Sequence, residues 1–323
     1  MEFFRYKRAF PFMKNSKFAF AISLFLILSS IFLVSTKGLN FGIDFTGGTI
    51  IQVKYTTPAP IDKMREQLAH NTSFDGASIS EFGSSDEVVI RFKNTSSDVS
   101  VDVGDVAREA LKGTGDFEIR RVDIVGPKVG DELKEKGLAA LFFATIGILI
   151  YVSFRFEWRF AISSVLALTH DIIIAIGAVS LMQIDVNLDV LAALLTILGY
   201  SINDTIIIFD RIRESVVEEK REDLANTIDD SVTKTLSRTI LTSLTTIIVV
   251  ITLYLFGGEI INPFAFTLLV GIVVGTYSSI FVASPLLILF RFSIKDYHAR
   301  LEQKNKARIE KEKMRAMYEQ GTM

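Results

Sequence analysis

The chain has 323 residues, of which 49% are hydrophobic, and its mean hydropathy is +0.37. This composition excludes an ordinary soluble domain, because the apolar residues fall into runs of membrane length. The absence of cysteine excludes disulfides and thiolate chemistry, and a net charge of −2 gives no electrostatic basis for binding nucleic acid. A multi-pass membrane protein is therefore expected.

Six segments are long enough to cross a bilayer, whose apolar core needs about 20 helical residues. They are predicted at residues 18–36, 137–154, 160–184, 190–209, 239–258 and 263–290. The first follows basic residues, but no small-residue cleavage site comes after it, so a retained helix is expected rather than a cleaved signal. The third and fourth reach membrane length only if they include His170, Asp171 and Asp204.

The distribution of positive charge predicts the orientation of these helices. Arginine and lysine occur in the tail 1–17, in the short loop "RFEWR", between the fourth and fifth segments, and in the tail 291–323. The loops on the opposite side, "DVNLD" and "EIIN", have none. Both termini are therefore expected in the cytoplasm, and residues 37–136 are expected to form an exported domain.

The exported region alternates strand and helix patterns. "GTIIQVKY", "ASISEF", "EVVIRF" and "FEIRRVDIV" are typical of strands, and "APIDKMREQLAH" and "VGDVAREALKG" of helices. The order βαββαβ predicts an α+β, ferredoxin-like domain. The glycines of "GIDFTGG" favour a tight turn at the membrane over a phosphate site, because no strand–turn–helix context surrounds them.

The remaining segments form a predicted five-helix transmembrane bundle over 137–290. Between its fourth and fifth crossings, residues 210–237 repeat apolar side chains on one side of a helix, including Ile212, Val216, Ile228 and Val232. This pattern predicts a single amphipathic helix along the cytoplasmic surface. The basic tail 291–323 is expected to be helical or disordered and attracted to membrane lipid.

Asp204 lies roughly 9 Å inside the fourth segment, counted at about 1.5 Å per residue from Asp210. A carboxylate in a transmembrane helix is costly and indicates an ion pathway, a partner charge or a water-filled cavity. Arg238 begins the fifth segment from the same side and is the candidate partner. Two interpretations remain: an ion relay that changes protonation state, or a static pair that holds two helices together.

His170 and Asp171 lie near the middle of the third segment. Adjacent helical residues point about 100° apart, so the two side chains are not expected to share one face. Ala167, Asp171 and Ala175 form a stripe of small residues, which predicts that Asp171 faces the bundle interior. His170 is either its relay partner or a cap for a backbone carbonyl. No histidine and aspartate set has metal-ligand spacing, so no metal site is proposed.

Two further stripes predict helix packing. Thr242, Thr245 and Thr246 follow Arg238 along the fifth segment, and their hydroxyls favour interhelical hydrogen bonds over water binding. In the sixth segment Gly271, Gly275, Ser279 and Ala283 recur every four residues, which favours close packing on another helix, in this chain or in a partner. Pro285 predicts a kink at the end of that segment.

Several motifs, taken together, resemble the SecF subunit family of the bacterial SecD–SecF protein-export complex. They are "FGIDFTGGT" after the first segment, "VGPKVGDEL" before the second, "GYSINDTIIIFDRIRE" through the fourth, and "TLSRTILTS" and "YLFGG" in and after the fifth. The resemblance extends over nearly the whole chain except the basic tail. It also fits the arrangement of one crossing, an exported domain and then five crossings.

The resemblance implies a non-enzymatic role in the bacterial inner membrane, without a cofactor, driven by a gradient of H⁺ or Na⁺. It implies SecD as an obligate partner, the SecYEG translocon, a translocating preprotein and YajC as further partners. Asp204 and Arg238 match family positions implicated in ion transport, and Asn203, Asp171 and His170 join them as ion-relay candidates. The alternatives are an ion-driven small-molecule exporter of the resistance–nodulation–division type and a passive assembly scaffold.

Overall fold

The computed structural model describes residues 9–74, 76–92, 103–218 and 223–319. Its helices are α1 Ser16–Lys37, α2 Ile43–Thr46, α3 Ile61–Ala69, α4 Val103–Ala110, α5 Pro127–Arg155, α6 Trp158–Met182, α7 Leu188–Glu218, α8 Leu224–Phe256, α9 Gly258–Ser278, α10 Ser284–Leu289 and α11 Ile294–Glu319. Its strands are β1 Gly48–Tyr55, β2 Ser78–Phe82, β3 Ser84–Phe92 and β4 Phe117–Val125.

Six described helices are long and apolar enough to cross a membrane, which confirms the six predicted segments and a multi-pass membrane protein. The sixth crossing joins α9 to α10 through a π-helical turn, Ser279–Ala283. About half of the apolar window is buried in α6, α7 and this last crossing (50, 50 and 56%), against 17, 11 and 17% in α1, α5 and α8. The first three therefore form the centre of the bundle, and the other three surround it.

The strands form one antiparallel sheet in the order β2-β3-β1-β4. Strand, helix, two strands, helix and strand follow one another in the predicted order among the described residues. Ile51 and Val53 of β1 lie opposite Ile90 and Val88 of β3, and all four are fully buried with side chains of α3 and α4. One face of the sheet is thus covered by helices, as the alternation in the strands requires.

The single surface helix predicted for 210–237 is wrong. Residues up to Glu218 continue α7, and residues from Leu224 onward already belong to α8, with 219–222 outside the described residues. Asp223 caps α8 by accepting from the amide of Ala225 at 3.0 Å. The two extensions form an antiparallel hairpin, and their apolar faces pack on each other instead of on a lipid surface.

Side chains inside this hairpin are buried by the protein itself. Ile212, Val216, Ile228 and Val232 are at most 1% exposed and belong to one apolar cluster. Ser231 also donates a hydrogen bond from α8 to a residue of α7, Ser215, at 3.1 Å. The end of the bundle that carries this structure is called the hairpin end below, and the opposite end, which carries the sheet, the sheet end.

The residues before α1 and the beginning of α11 are held at the hairpin end. Before α1, the amide of Phe10 donates to Thr233 at 3.0 Å and that of Met13 to Asp229 at 2.9 Å. The tail 291–323, expected to be helical or disordered, forms the helix α11 up to Glu319. Its beginning is fastened to the bundle by an ion pair of 3.2 Å between Arg300 and Glu157.

The segment "GIDFTGG" forms a one-turn helix, α2, where a tight turn was predicted. Glycine is required where the C-terminal end of α2 meets the start of α5. A Cβ on Gly47, which follows α2, would lie 2.6 Å from the Cα of Pro127, and one on Gly130 of α5 would lie 2.8 Å from the amide nitrogen of Gly47. Gly47 and Gly48 also have φ values of +68° and +134°, which side chains rarely adopt. The glycines therefore let the start of α5 pack directly on the turn.

The sheet is attached to the loop between α6 and α7. The amide of Val186 donates to the carbonyl of Asn40 at 2.7 Å, and the amide of Gly42 donates to the carbonyl of Val186 at 2.8 Å. Asp44 accepts from the amide of Leu188 at 2.9 Å, at the first residue of α7. The connection from α1 to the sheet is thus hydrogen-bonded to the start of the helix that carries Asp204.

The small-residue stripe of the sixth crossing packs within this chain. A Cβ on Gly271 would clash with Ile197 of α7, and one on Gly275 would lie 3.0 Å from the Cβ of Ser201. Ser279 begins the π-helical turn that precedes Pro285. The hydroxyl of Ser284 donates to the carbonyl of Ser279 at 2.9 Å, and so satisfies an acceptor that the change of helix type frees.

Candidate functional site

Asp204 lies on the buried face of α7, one turn after Ser201. Both side chains are 1% exposed, as is Thr205. The face is buried because α7 packs against α6, α8 and α9 around it. The carboxylate is therefore enclosed by protein in the middle of a membrane-length helix, where an ionised group is costly.

The carboxylate of Asp204 contacts the first of two hydroxyls that are hydrogen-bonded to each other. Ser243 of α8 lies 3.5 Å from Asp204 Oδ2 and 2.8 Å from the hydroxyl of Thr276 of α9. Asp204 Oδ1 has no hydrogen-bond partner among the described residues. One acidic oxygen is thus free to receive a proton or a cation, and the other contacts a pair of hydroxyls that can donate or accept.

This arrangement has two self-consistent hydrogen-bond patterns. When Asp204 is ionised, Thr276 donates to Ser243 and Ser243 donates to Asp204. When Asp204 is protonated, the direction reverses, and Thr276 donates instead to the carbonyl of Ile272, 2.8 Å away. Both protonation states of Asp204 are therefore accommodated without moving a helix.

Arg238, the candidate partner of Asp204, does not pair with it in this structure. Its side chain is exposed, and the ion pairs within 4.0 Å among the described residues do not include one between these two side chains. Arg238 nevertheless lies near enough to Asp204 to interact with it electrostatically. The static clamp considered from the sequence is thus not formed in this state.

Asp171 of α6 is the second buried carboxylate, and it is fully hydrogen-bonded. Its Oδ2 accepts from Ser201 of α7 at 2.6 Å and from Ser278 of α9 at 2.9 Å. Its Oδ1 lies 2.8 Å from Nδ1 of His170. Asp171 therefore joins the three central helices, which confirms that it faces the interior.

His170 and Asp171 were not expected to share one helix face, yet both are buried and the imidazole bonds to the neighbouring carboxylate. The His170 ring also stacks on Tyr277 at 6.3 Å, and Tyr277 donates to the carbonyl of Ala19 of α1 at 2.7 Å. His170 Nε2 is buried and has no hydrogen-bond partner among the described residues. The geometry favours His170 as a partner of Asp171 over a carbonyl cap.

The two carboxylates are connected through α7. Ser201 binds Asp171, and Asp204 follows it after three residues on the same face, about 4.5 Å along the axis. Gly275 makes the room for this contact, since a Cβ there would lie 3.0 Å from the Cβ of Ser201 and 3.5 Å from Asp171 Oδ2. A predicted packing residue is thus part of the polar site.

Asn203 is not brought into this site. It is exposed on the opposite face of α7, in line with Ala192, Thr196 and Gly199. The predicted threonines of α8 lie beyond Arg238 on a neighbouring surface, where Thr242 and Thr245 bond to carbonyls of their own helix. Thr246 accepts from Tyr200 of α7 at 3.3 Å, which is the expected interhelical contact.

Two family models match this chain. Residues 106–293 match "Protein export membrane protein SecD/SecF, C-terminal", and residues 32–59 match "SecD/SecF GG Motif". The SecF translocase subunit of Helicobacter pylori is 47% identical over 321 residues, which are 99% of this chain and 99% of the relative. The chain belongs to the SecF family of protein translocase subunits.

Other relatives and solved structures agree with this assignment. The SecF subunit of Vibrio alginolyticus is 49% identical over 87% of this chain and 90% of its own, and that of Escherichia coli O157:H7 is 39% identical over 95 and 93%. The crystal structure of SecDF from Thermus thermophilus superposes with a TM-score of 0.78 at 34% identity. The similarity covers 88% of this chain and 39% of that one, so this chain spans about two fifths of SecDF.

A second SecDF structure, described as a super-membrane-facing form, has a TM-score of 0.66 at 33% identity and covers 93% of this chain and 41% of its own.

Sequence reasoning missed the hydroxyls that contact the two carboxylates. These are Ser201, Ser243, Thr276 and Ser278. A signal was present for Ser201, because it precedes Asp204 by three residues on one helical face. The other three lie on α8 and α9, and nothing local in the sequence says which of several hydroxyls on each helix points toward a carboxylate.

Proposed function

We propose that this protein is the SecF-type subunit of a bacterial protein-export complex, and that protonation or cation binding at Asp204 drives each export cycle. The observation that carries the proposal is the enclosed carboxylate of Asp204, with one oxygen unpartnered among the described residues and the other against a reversible pair of hydroxyls. A purely structural aspartate gains nothing from an unpaired buried oxygen. Membership of the SecF family favours this function over small-molecule export.

Arg238 supplies the movable positive charge in this proposal. It is exposed on α8, outside ion-pair distance of Asp204, so its guanidinium is available to a second carboxylate. Ionised Asp204 attracts it, and neutral Asp204 releases it. Because Arg238 and Ser243 lie on the same helix, an exchange of partners by Arg238 would act on α8 next to the site.

The partner proposed to complete the site is SecD. The face of α7 that includes Thr196, Gly199 and Asn203 is exposed within the membrane-length region, and Arg238 and Thr242 are exposed on adjacent α8. Small and polar residues at such a face favour close packing with another helix over contact with lipid. SecD is named as that partner because this chain is similar to about two fifths of a SecDF chain.

The proposed location is the bacterial inner membrane, with the hairpin end in the cytoplasm and the sheet end outside. Arg155, Arg211 and Arg213 lie at the hairpin end, and the loop from Asp185 to Asp189 at the sheet end has no basic residue, which supports this orientation. The sheet would then act on a preprotein leaving SecYEG, with YajC and membrane lipid as further contacts.

The coupling ion is H⁺ or Na⁺, and both suit a carboxylate among hydroxyls. The test is preprotein export in membrane vesicles containing the complex with SecD, with the proton and sodium gradients collapsed separately. Loss of export on collapse of one gradient identifies the ion. Export unaffected by either collapse contradicts the proposal.

Two variants of α7 link this result to the site. Asp204→Asn keeps the size of the side chain and should assemble with SecD, yet lose gradient-stimulated export. Asp189→Asn is the matched control, because Asp189 is exposed at the start of the same helix. A near-wild-type rate for Asp204→Asn at normal abundance would overturn the ion-relay mechanism.

A further inference from the structure

An apolar cavity of about 160 Å³ lies at the sheet end, between α5, α6 and α7 and away from both carboxylates. Its walls include Leu138, Leu141, Val179, Val190 and Leu194, and its mouth includes Phe41 and Lys134. An apolar cavity of about 150 Å³ stays dry in water-soluble proteins and binds an apolar guest. This cavity has no role in the proposed ion relay.

The cavity lies at the level where α5 passes from a charged to an apolar sequence. "KVGDELKEK" ends at Lys136, and the apolar run "GLAALFF" begins at Gly137. Such a change marks the boundary between lipid headgroups and acyl chains. At this boundary the molecules that surround the protein are phospholipids, which combine an apolar chain with a phosphate.

Lys134 provides a positive charge at the mouth. Its ammonium lies 4.8 Å above the ring of Phe41, and the side chain is exposed. Lys134 forms no ion pair with the described residues, unlike Lys136 one half-turn on, which pairs with Glu132 at 2.5 Å. Within the described part of the chain, the mouth thus offers a cation without an ion-pair partner next to an apolar cavity.

We propose that this cavity is a phospholipid site, with the upper methylenes of one acyl chain between α5 and α7 and the phosphate at Lys134. The apolar walls match the chain, and the ammonium matches the phosphate. The headgroup beyond the phosphate is not selected, because Lys134 is the charged side chain among the residues that line the cavity. The bound chain would separate α5 from α7 beside the connection to the sheet.

The test is native mass spectrometry of the complex with SecD, released from nanodiscs of phosphatidylethanolamine or phosphatidylglycerol. One retained phospholipid is expected from either lipid. Val190→Phe places a ring in the cavity and should lower retention about tenfold, as expected for excluding roughly two buried methylenes. Lys134→Gln should lower it about fivefold, and Lys128→Gln, an exposed lysine on the same helix, should leave it unchanged.

A second variant tests the same cavity in case Val190→Phe does not fold. Leu138 lines the cavity but is 62% exposed, so Leu138→Trp can cover the mouth without entering the packed interior, and it should also lower retention. A photoreactive residue at 138 should cross-link to lipid. Retention unchanged in Val190→Phe and Leu138→Trp, or a cross-link to SecD or to an arrested preprotein instead of lipid, would overturn the proposal.

Discussion

Arg91 of β3 and Asp185 of the loop between α6 and α7 form an ion pair of 2.6 Å that joins the sheet to the bundle. Asn40 donates a second hydrogen bond to the same carboxylate. Three residues after Asp185, α7 begins, and Asp44 accepts from its first amide. The sheet is therefore connected by side chains as well as by the chain to the start of the helix that carries Asp204.

We expect Arg91→Gln to loosen this junction. The pair is partly buried, so its loss should cost about 1 kcal/mol locally and raise hydrogen exchange at the amides of Val186 and Leu188 by about fivefold. Export should fall while assembly with SecD stays normal. Arg121→Gln is the control, because the ion pair of Arg121 is with Asp123 within β4 and not with the loop between α6 and α7. Equal exchange in the two variants would show that the junction does not depend on the Arg91 ion pair.

The hydroxyl series can be interrupted without removing a charge. Ser243→Ala leaves Asp204 without a hydroxyl neighbour, and we expect gradient-stimulated export to fall about tenfold, with a smaller loss in Thr276→Val. The matched control is Thr252→Val on the same helix, whose hydroxyl bonds only to the carbonyl of Ile248. Vesicle export at equal protein abundance measures the effect, and an unchanged rate in Ser243→Ala would remove the hydroxyls from the mechanism.

The separation of Arg238 from Asp204 leads to a specific prediction for Arg238→Met. Because no ion pair is formed in this state, the variant should keep the thermal stability of the complex within about 0.5 kcal/mol of wild type. It should nevertheless lose export. The double variant with Asp204→Asn should also assemble and stay inactive. Recovery of export in the double variant would instead indicate a structural pair, as buried ion pairs often tolerate neutral replacement.

The packing around two glycines of the bundle predicts different effects of substitution by alanine. Gly177 of α6 lies against Ser30 of α1, so that a Cβ would clash with the serine side chain and approach its Cα to 2.7 Å. Gly177→Ala should destabilise the protein by about 1–3 kcal/mol and detach α1. A Cβ on Gly147 of α5 meets no atom of this chain within 4 Å, and Gly147→Ala should be neutral or favourable through helix propensity. Thermal unfolding of both variants in detergent measures the difference.

Hydropathy and strand alternation predicted most of the fold, because both are local properties of the sequence. The hairpin at 210–218 and 223–237 escaped prediction for a particular reason. Ile212, Val216, Leu224, Ile228 and Val232 keep a four-residue phase across the reversal, so the periodicity continues as though the helix did. Only the capping residue Asp223 marks the new start, and a lone aspartate in a charged run is a weak signal.

The sequence predicted the two buried carboxylates of the candidate site but not the hydroxyls that contact them. Asp204 and Asp171 stand out because a carboxylate is rare in an apolar segment. Their contacts depend on which helices lie side by side and on how each is rotated about its axis. The pairing of Asp171 with Ser201 and Ser278 is decided by the packing of α6, α7 and α9, which no single segment encodes.

The hydrogen bonds of the residues before α1 constrain the order in which contacts form during synthesis of the chain. Phe10 and Met13 are bonded to Thr233 and Asp229, across sequence separations of 223 and 216 residues. These two amides therefore cannot reach their partners until the start of α8 has been synthesised. A nascent chain that stalls before α8 leaves both amides without these partners, so that the residues before α1 are not yet fastened to the hairpin end.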